Sequence, residues 1–263
     1  VTVHRRGDAG PVEDRVAVEL PLQVRLNGAP FSVIMRTPGA ARELALGFLL
    51  SEGVIHTRGD IDRIVLEGAD SVDVRLVSGQ SGAARQALDA RRQVAMNASC
   101  GLCGRRELES LRVPLDPLRA EWRVPAHVIA RLPDTLLESQ RAFAETGGLH
   151  AAGLFDADGR LQASAEDVGR HNAVDKLLGR MLEAGALPLS RSLLMVSGRS
   201  SFEIVQKAWL GGIPVVAAVS APSSLAVDLA HEAGITLLGF VRGERFNVYA
   251  HPERIAQTDD TAA

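Results

Sequence analysis

The chain has 263 residues, 46% hydrophobic and 23% charged, so it holds one large domain or two modest ones and needs no metal or disulfide staple to fold. A formal charge of −3 and a pI near 6.2 weigh against a dedicated nucleic-acid binder. The longest strongly apolar run, 213–221, is too short to cross a bilayer, and no apolar stretch follows Arg5-Arg6 as in a secretory signal; a soluble, cytoplasmic protein is expected.

In chain order, 16–26 and 31–35 alternate as strands, with Asn27-Gly28 as a hairpin signal between them. Pro38 is expected to open a helix that runs to about Ser51 and stops at Gly53. Two more strands are read at 61–66 and 72–77. The stretch 83–106 carries a net charge of +4, although the whole chain is acidic, and 112–125 reads as a linker or irregular crossing segment with three prolines. Beyond it, 153–161 reads as a hairpin turning at Asp158-Gly159, followed by a helix over about 172–184. Strand 193–196, helix 202–210, strand 213–219, helix 225–233 and strand 235–241 then alternate. Near-continuously apolar strands spaced by short helices predict βαβ units and a largely parallel sheet. A ligand crevice is expected outside the carboxyl ends of those strands, where the short polar loops gather. The reading divides the chain at residue 125: an N-terminal α+β region over 1–125 and an α/β domain over 126–263.

Four constellations can carry chemistry. The only two cysteines form Cys100-Gly-Leu-Cys103-Gly, which rules out a disulfide scaffold and leaves a zinc half-site, a dithiol redox centre or a sulfur-handling nucleophile. Zinc would need two further ligands. His150 and His171 are conceivable, but not at metal spacing, and the His-x-Glu and Pro-Cys of zinc deaminases are absent, so no metal is expected. The flanking glycines suggest a loop, and its arginines favour a thiolate.

The run from Glu166 to Lys176 gathers six ionisable groups at a helix entrance, where Arg170 and His171 can join the free N–H groups in holding an anion; in the blander account Asp167 or Asn172 caps the helix, and Asp175 and Lys176 are solvated. In Ser197-Gly-Arg-Ser-Ser-Phe-Glu, Ser200 and Glu203 fit a capping box, which leaves Gly198 and Arg199 for a phosphate. Finally, Arg242 and Arg245 flank Gly243 at the end of a strand and suit phosphates as well as an ordinary solvated hairpin does. No Walker loop or serine-hydrolase elbow is present.

Taken together, these motifs resemble one family in order: Ser-Cys-Gly-Leu-Cys-Gly, Thr146-Gly-Gly-Leu-His, Glu166-Asp-Val-Gly-Arg-His-Asn, Ser197-Gly-Arg-Ser-Ser-Phe-Glu, Val219-Ser-Ala-Pro-Ser-Ser and Tyr249-Ala-His-Pro-Glu-Arg. They are similar to the formate dehydrogenase accessory sulfurtransferases, the FdhD family, over roughly residues 12–255. The resemblance implies a cytidine-deaminase-like αβα layered domain with a smaller N-terminal α+β region, paired as a homodimer. It also implies sulfurtransfer by a cysteine persulfide: sulfur comes from a cysteine desulfurase and passes to the molybdenum or tungsten bis(molybdopterin guanine dinucleotide) cofactor of the formate dehydrogenase catalytic subunit. On the family motif Cys100 carries the persulfide with Cys103 as its partner, and Phe240, Val241, Arg242, Gly243, Glu244 and Arg245 meet the guanine dinucleotide; His171 and Arg199 join them as anion-binding residues. The rival readings are a non-catalytic chaperone for that cofactor, with spectator cysteines, and a dithiol reductase acting on proteins.

Overall fold

A computed structural model describes residues 1–4, 6, 10–78 and 115–256. The short strands β1 (Thr2–His4) and β2 (Pro11–Glu13) pair at the N-terminus. A four-stranded sheet follows, made of β3 (Leu20–Leu26), β4 (Ala29–Arg36), β5 (Ile61–Leu66) and β6 (Ser71–Leu76) in the order β4-β3-β6-β5. Asn27 and Gly28, with φ of 51° and 83°, make the tight hairpin turn read from the sequence.

Helix α1 (Ala41–Ser51) starts three residues later than Pro38 promised. Gly39 and Ala40 are both left-handed, at φ 96° and 49°, so the chain turns there before it winds into the helix. The expected strand over 16–26 begins only at Leu20, because residues 14–19 are irregular.

Residues 115–123 form the irregular crossing segment expected, pinned by the indoles of Trp209 and Trp122, which donate to the carbonyls of Asp116 and Ser190. Next come β7 (Val124–Pro125) and two helices that the sequence reading left unassigned, α2 (Ala126–Ser139) and α3 (Arg141–Thr146).

The second half alternates β8 (His150–Asp156), β9 (Leu161–Asp167), α4 (Arg170–Glu183), β10 (Ser192–Val196), α5 (Phe202–Leu210), β11 (Val215–Ala218), α6 (Ser224–Ala233), β12 (Thr236–Arg242) and β13 (Arg245–Ala250), and closes with β14 (Ile255–Ala256) beside β7. The six-stranded sheet has the order β13-β12-β11-β10-β8-β9. Within this sheet parallel pairing is confined to β10, β11 and β12, which corrects the largely parallel expectation: the β8–β9 and β12–β13 hairpins add antiparallel flanks.

Strand alternation builds the αβα layers. On β10, Leu193 and Met195 join the core with Ile129, Leu132 and Leu136 of α2. Leu194 and Val196 face the opposite core with residues of α4, α5, α6 and α1. The N-terminal sheet shares that second core through Leu22, Val24 and Val72. Helices α1 and α4 cross with their backbones in contact: a methyl at Gly47 would stand 1.9 Å from the Asp175 carbonyl oxygen, and one at Gly179 1.8 Å from that of Glu43.

Candidate functional site

A crevice of about 690 Å³ opens outside the carboxyl ends of the parallel strands, a size suited to a small-molecule ligand. Ser197, Val219 and Arg242 reach it from the ends of β10, β11 and β12, and His150 from the start of β8, which runs the other way. Its opposite wall is α2 and α3, with Leu136, Gln140 and Phe143. Those helices are held to the sheet by Glu166, whose carboxylate accepts from the Ala142 and Phe143 amides at 3.1 and 2.7 Å. Ser197 locks the floor, accepting the Ala151 amide on Oγ at 2.9 Å while its own amide donates to the Ala151 carbonyl.

Of the residues singled out from the sequence, Val241, Arg242 and Gly243 line this crevice. Phe240 does not: it sits at φ 55° in a bulge, with its N–H toward the Ser220 carbonyl, and is exposed. Glu244 and Arg245 are exposed on the hairpin, where Arg245 pairs with Arg242 across the strands, and neither lines the crevice. Arg199 is exposed, with no side-chain partner among the described residues. Cys100 and Cys103 lie outside the described residues.

His171 is nearby but differently employed. Its Nε2 lies 2.7 Å from Glu203 Oε2 and 3.1 Å from Ser201 Oγ, joining the first turns of α4 and α5. The capping box at Ser200 and Glu203 does not form: Ser201 is the N-cap of α5, Ser200 is fully buried, and Glu203 is turned to His171 instead. One turn deeper, Asp175 Oδ1 meets Lys207 Nζ at 2.5 Å and Ser51 Oγ at 2.7 Å. Burial pushes the Asp175 carboxyl up from its ordinary value, against the pull of Lys207 and Ser51.

Asp175 and Lys176 are therefore not solvated. Lys176 is equally buried, and its Nζ binds Asp167 Oδ2 at 2.7 Å together with the carbonyls of Thr37 and Glu166. Asp167 also accepts the Thr37 and Gly169 amides, so this cluster latches the β4–α1 connection onto the start of α4. The N-cap of α4 is Gly169, with no side-chain cap.

The rim of the crevice at His150 is electropositive. Burial, and then the charges of Arg170 and His171, hold the His150 imidazole below its ordinary pKa. Gly198 lies against it, its missing Cβ 3.4 Å from His150 Nδ1 and 3.8 Å from Arg170 Cδ. The arrangement can receive an anionic group at the His150–Arg242 side and an apolar, planar group against the helical wall. Among the described residues no three His, Cys, Asp or Glu side chains gather as a metal site, and no helix is long and apolar enough to cross a membrane.

The sequence reading missed the helical wall and the place of His150 in the crevice. Its available signal was the 3.6-period stripe Val128, Ile129, Leu132, Leu136.

The sequence pattern of the FdhD/NarQ family matches residues 17–256. A sulfur carrier protein FdhD of Streptomyces coelicolor is 49% identical, covering 96% of this chain and 93% of its own. One from Anaeromyxobacter dehalogenans is 50% identical over 98% and 93%. In three dimensions the chain superposes with a TM-score of 0.78 on a crystal structure described as that of a formate dehydrogenase accessory protein from Desulfotalea psychrophila, 30% identical and covered to 97% on both sides. With the family's sequence pattern running through the four- and six-stranded sheets and the crevice, this chain belongs to the FdhD/NarQ family.

Proposed function

We propose that this protein carries sulfur for the maturation of formate dehydrogenase. It takes the sulfur as a persulfide from a cysteine desulfurase and passes it to the molybdenum or tungsten bis(molybdopterin guanine dinucleotide) cofactor, which it binds as substrate. The observation that carries this reading is the crevice, with Arg242, Gly243 and His150 in its lining and the charge of Arg170 acting on His150, in a chain matched to sulfur carriers over nearly its whole length. Arginine forks and a glycine that admits close backbone approach suit a pyrophosphate. The apolar helical wall suits a ring system.

In the chemical step the Cys100 thiolate attacks the sulfane sulfur of the desulfurase persulfide. The Cys100 S–S bond forms, the desulfurase S–S bond breaks, and the desulfurase cysteine leaves as thiolate. Cys103 is the neighbouring thiol that can relay or release that sulfur. The reading includes a homodimer working in the cytoplasm.

Mass spectrometry after incubation with desulfurase and cysteine tests it. The expected result is one added sulfur atom on the wild-type chain and none on Cys100→Ala. A Cys100→Ala chain that still gains sulfur and still matures formate dehydrogenase overturns the assignment to Cys100. A wild-type chain that binds the cofactor but never gains sulfur is a holder, not a carrier.

A further inference from the structure

Helix α3 is a weakly supported part of the crevice wall. It spans six residues, none of them buried, and a helix so short does not form on its own propensity. Its N-cap, Gln140, is non-helical and makes no side-chain cap, and its other end is the left-handed Gly147. The helix is thus a short segment between two backbone breaks. Yet Phe143 within it, and Gly147 and Gly148 just beyond it, line the crevice.

The hold on α3 comes from another element. Glu166 of β9 accepts the Ala142 amide on Oε2 at 3.1 Å and the Phe143 amide on Oε1 at 2.7 Å. These are first-turn amides that no carbonyl inside the helix can serve, and a negative charge there is favoured by the helix dipole. Glu166 is itself fixed. It stands opposite Ala151 in the β8–β9 ladder, and its carbonyl accepts from the buried Lys176 Nζ at 3.1 Å. Ala151 is in turn bonded to Ser197 on the crevice floor. Floor and wall therefore meet at one carboxylate. At the far end of α3, Arg15 lies 2.7 Å from Glu145, but both are exposed and such a pair contributes little.

We infer that Glu166 is a positioning residue of the crevice, which acts on the ligand by keeping α3 docked; this rests on the cofactor reading given above. Glu166 is not among the residues that line the crevice, so its effect passes through Phe143 and the Gly147-Gly148 turn. A ligand lying against that wall meets it fully only when the helix is docked. Its apparent affinity then falls with the fraction of chains in which α3 is in place. The coupling is reciprocal, so a bound ligand also holds the helix down.

Hydrogen exchange over residues 141–147 and titration calorimetry with GDP, both on the full chain, test the inference. Without GDP, Glu166→Ala is expected to exchange these amides about tenfold faster than the wild type, since charge-assisted bonds are lost. GDP is expected to bind it about three- to tenfold more weakly, and saturating GDP to restore the protection. Glu166→Gln keeps an acceptor oxygen but not the charge, and is expected to fall between. Arg15→Ala is expected to change either quantity by about twofold or less. If Glu166→Ala melts far below the wild type, Glu166→Gln carries the comparison. Faster exchange with unchanged GDP affinity would show that the ligand does not depend on α3. Weaker binding with unchanged exchange would show that Glu166 acts by another route. Either result overturns the inference, as would an Arg15→Ala effect equal to that of Glu166→Ala. A wild type that binds no GDP overturns the cofactor reading and the coupling with it, while the exchange of α3 in Glu166→Ala still decides whether the carboxylate holds the helix.

Discussion

His171 Nε2 lies 2.7 Å from Glu203 Oε2, and the two residues come from the first turns of different helices, α4 and α5. Four residues further along each helix, Asp175 meets Lys207 with the polarity reversed. The helices are thus joined by two rungs, imidazole to carboxylate and then carboxylate to ammonium. The upper rung stands beside His150 at the crevice rim, and the lower one is sealed in the core.

The lower rung predicts a contrast between single and double variants. Lys207→Met leaves the Asp175 carboxylate buried with only Ser51 and should cost about 3–5 kcal/mol. Asp175→Leu combined with Lys207→Met removes both charges and should recover most of that loss, because the pair's attraction is offset by its desolvation. Urea unfolding of the three chains checks this. A double variant no more stable than Lys207→Met would show that the ion pair itself contributes the stability.

The helix crossing predicts a second effect. Gly47→Ala forces a methyl into the Asp175 carbonyl, where backbone and not a flexible side chain must yield. A loss of about 1–3 kcal/mol or more is expected, read as a lower urea midpoint at unchanged slope. Gly179→Ala should behave alike, since its methyl meets the Glu43 carbonyl. An unchanged midpoint in both variants would mean that the helices separate freely, and would contradict the close crossing.

These two contacts also show what the sequence could and could not reveal. The run β10-α5-β11-α6-β12 was legible because its strands are apolar almost throughout, and because its helices and loops have the lengths of βαβ units. Helix α2 was hidden because Pro133 lies inside it, and an interior proline reads as a break although the stripe Val128, Ile129, Leu132, Leu136 continues past it. Ser200 and Glu203 have capping-box spacing, but a histidine thirty-two residues away in sequence takes the Glu203 carboxylate. Asp175 and Lys176 look like surface charges until each finds a buried partner from another element. Local spacing carries no information about such partners, so the crevice mouth at Arg242 was readable and its far wall was not.

Protonation of His150 predicts a pH dependence. Its folded-state pKa lies below the ordinary 6.5, so it is neutral at pH 7. The folded chain then binds fewer protons than the unfolded one over this range, and stability present above pH 6.5 is lost as pH falls through the folded pKa. Anion binding runs the other way: a protonated His150 adds a positive charge at the rim, so GDP affinity should rise as pH falls through the folded-state pKa. His150→Gln should flatten both trends. Equal pH slopes for wild type and variant would remove His150 from the anion site.

The hairpin predicts an asymmetry between two arginines that look equivalent in the sequence. Arg242 lines the crevice, whereas Arg245, its cross-strand neighbour, is exposed outside it. A charge-assisted hydrogen bond is worth about 1.5–3 kcal/mol, and Arg242 is open to solvent, so the lower end applies. Arg242→Ala should therefore weaken GDP binding about tenfold, since about 1.4 kcal/mol is one decade. Arg245→Ala should change it less, acting only through its screened charge, and the difference between wild type and Arg245→Ala should shrink further at high salt. On the proposed route persulfide formation on Cys100 needs the desulfurase alone, so both variants should still gain sulfur, while Arg242→Ala should mature formate dehydrogenase poorly. Calorimetry with GDP at two salt concentrations, beside the sulfur assay, separates these effects. Equal losses in the two variants would mean that the nucleotide lies along the outside of the hairpin and not in the crevice.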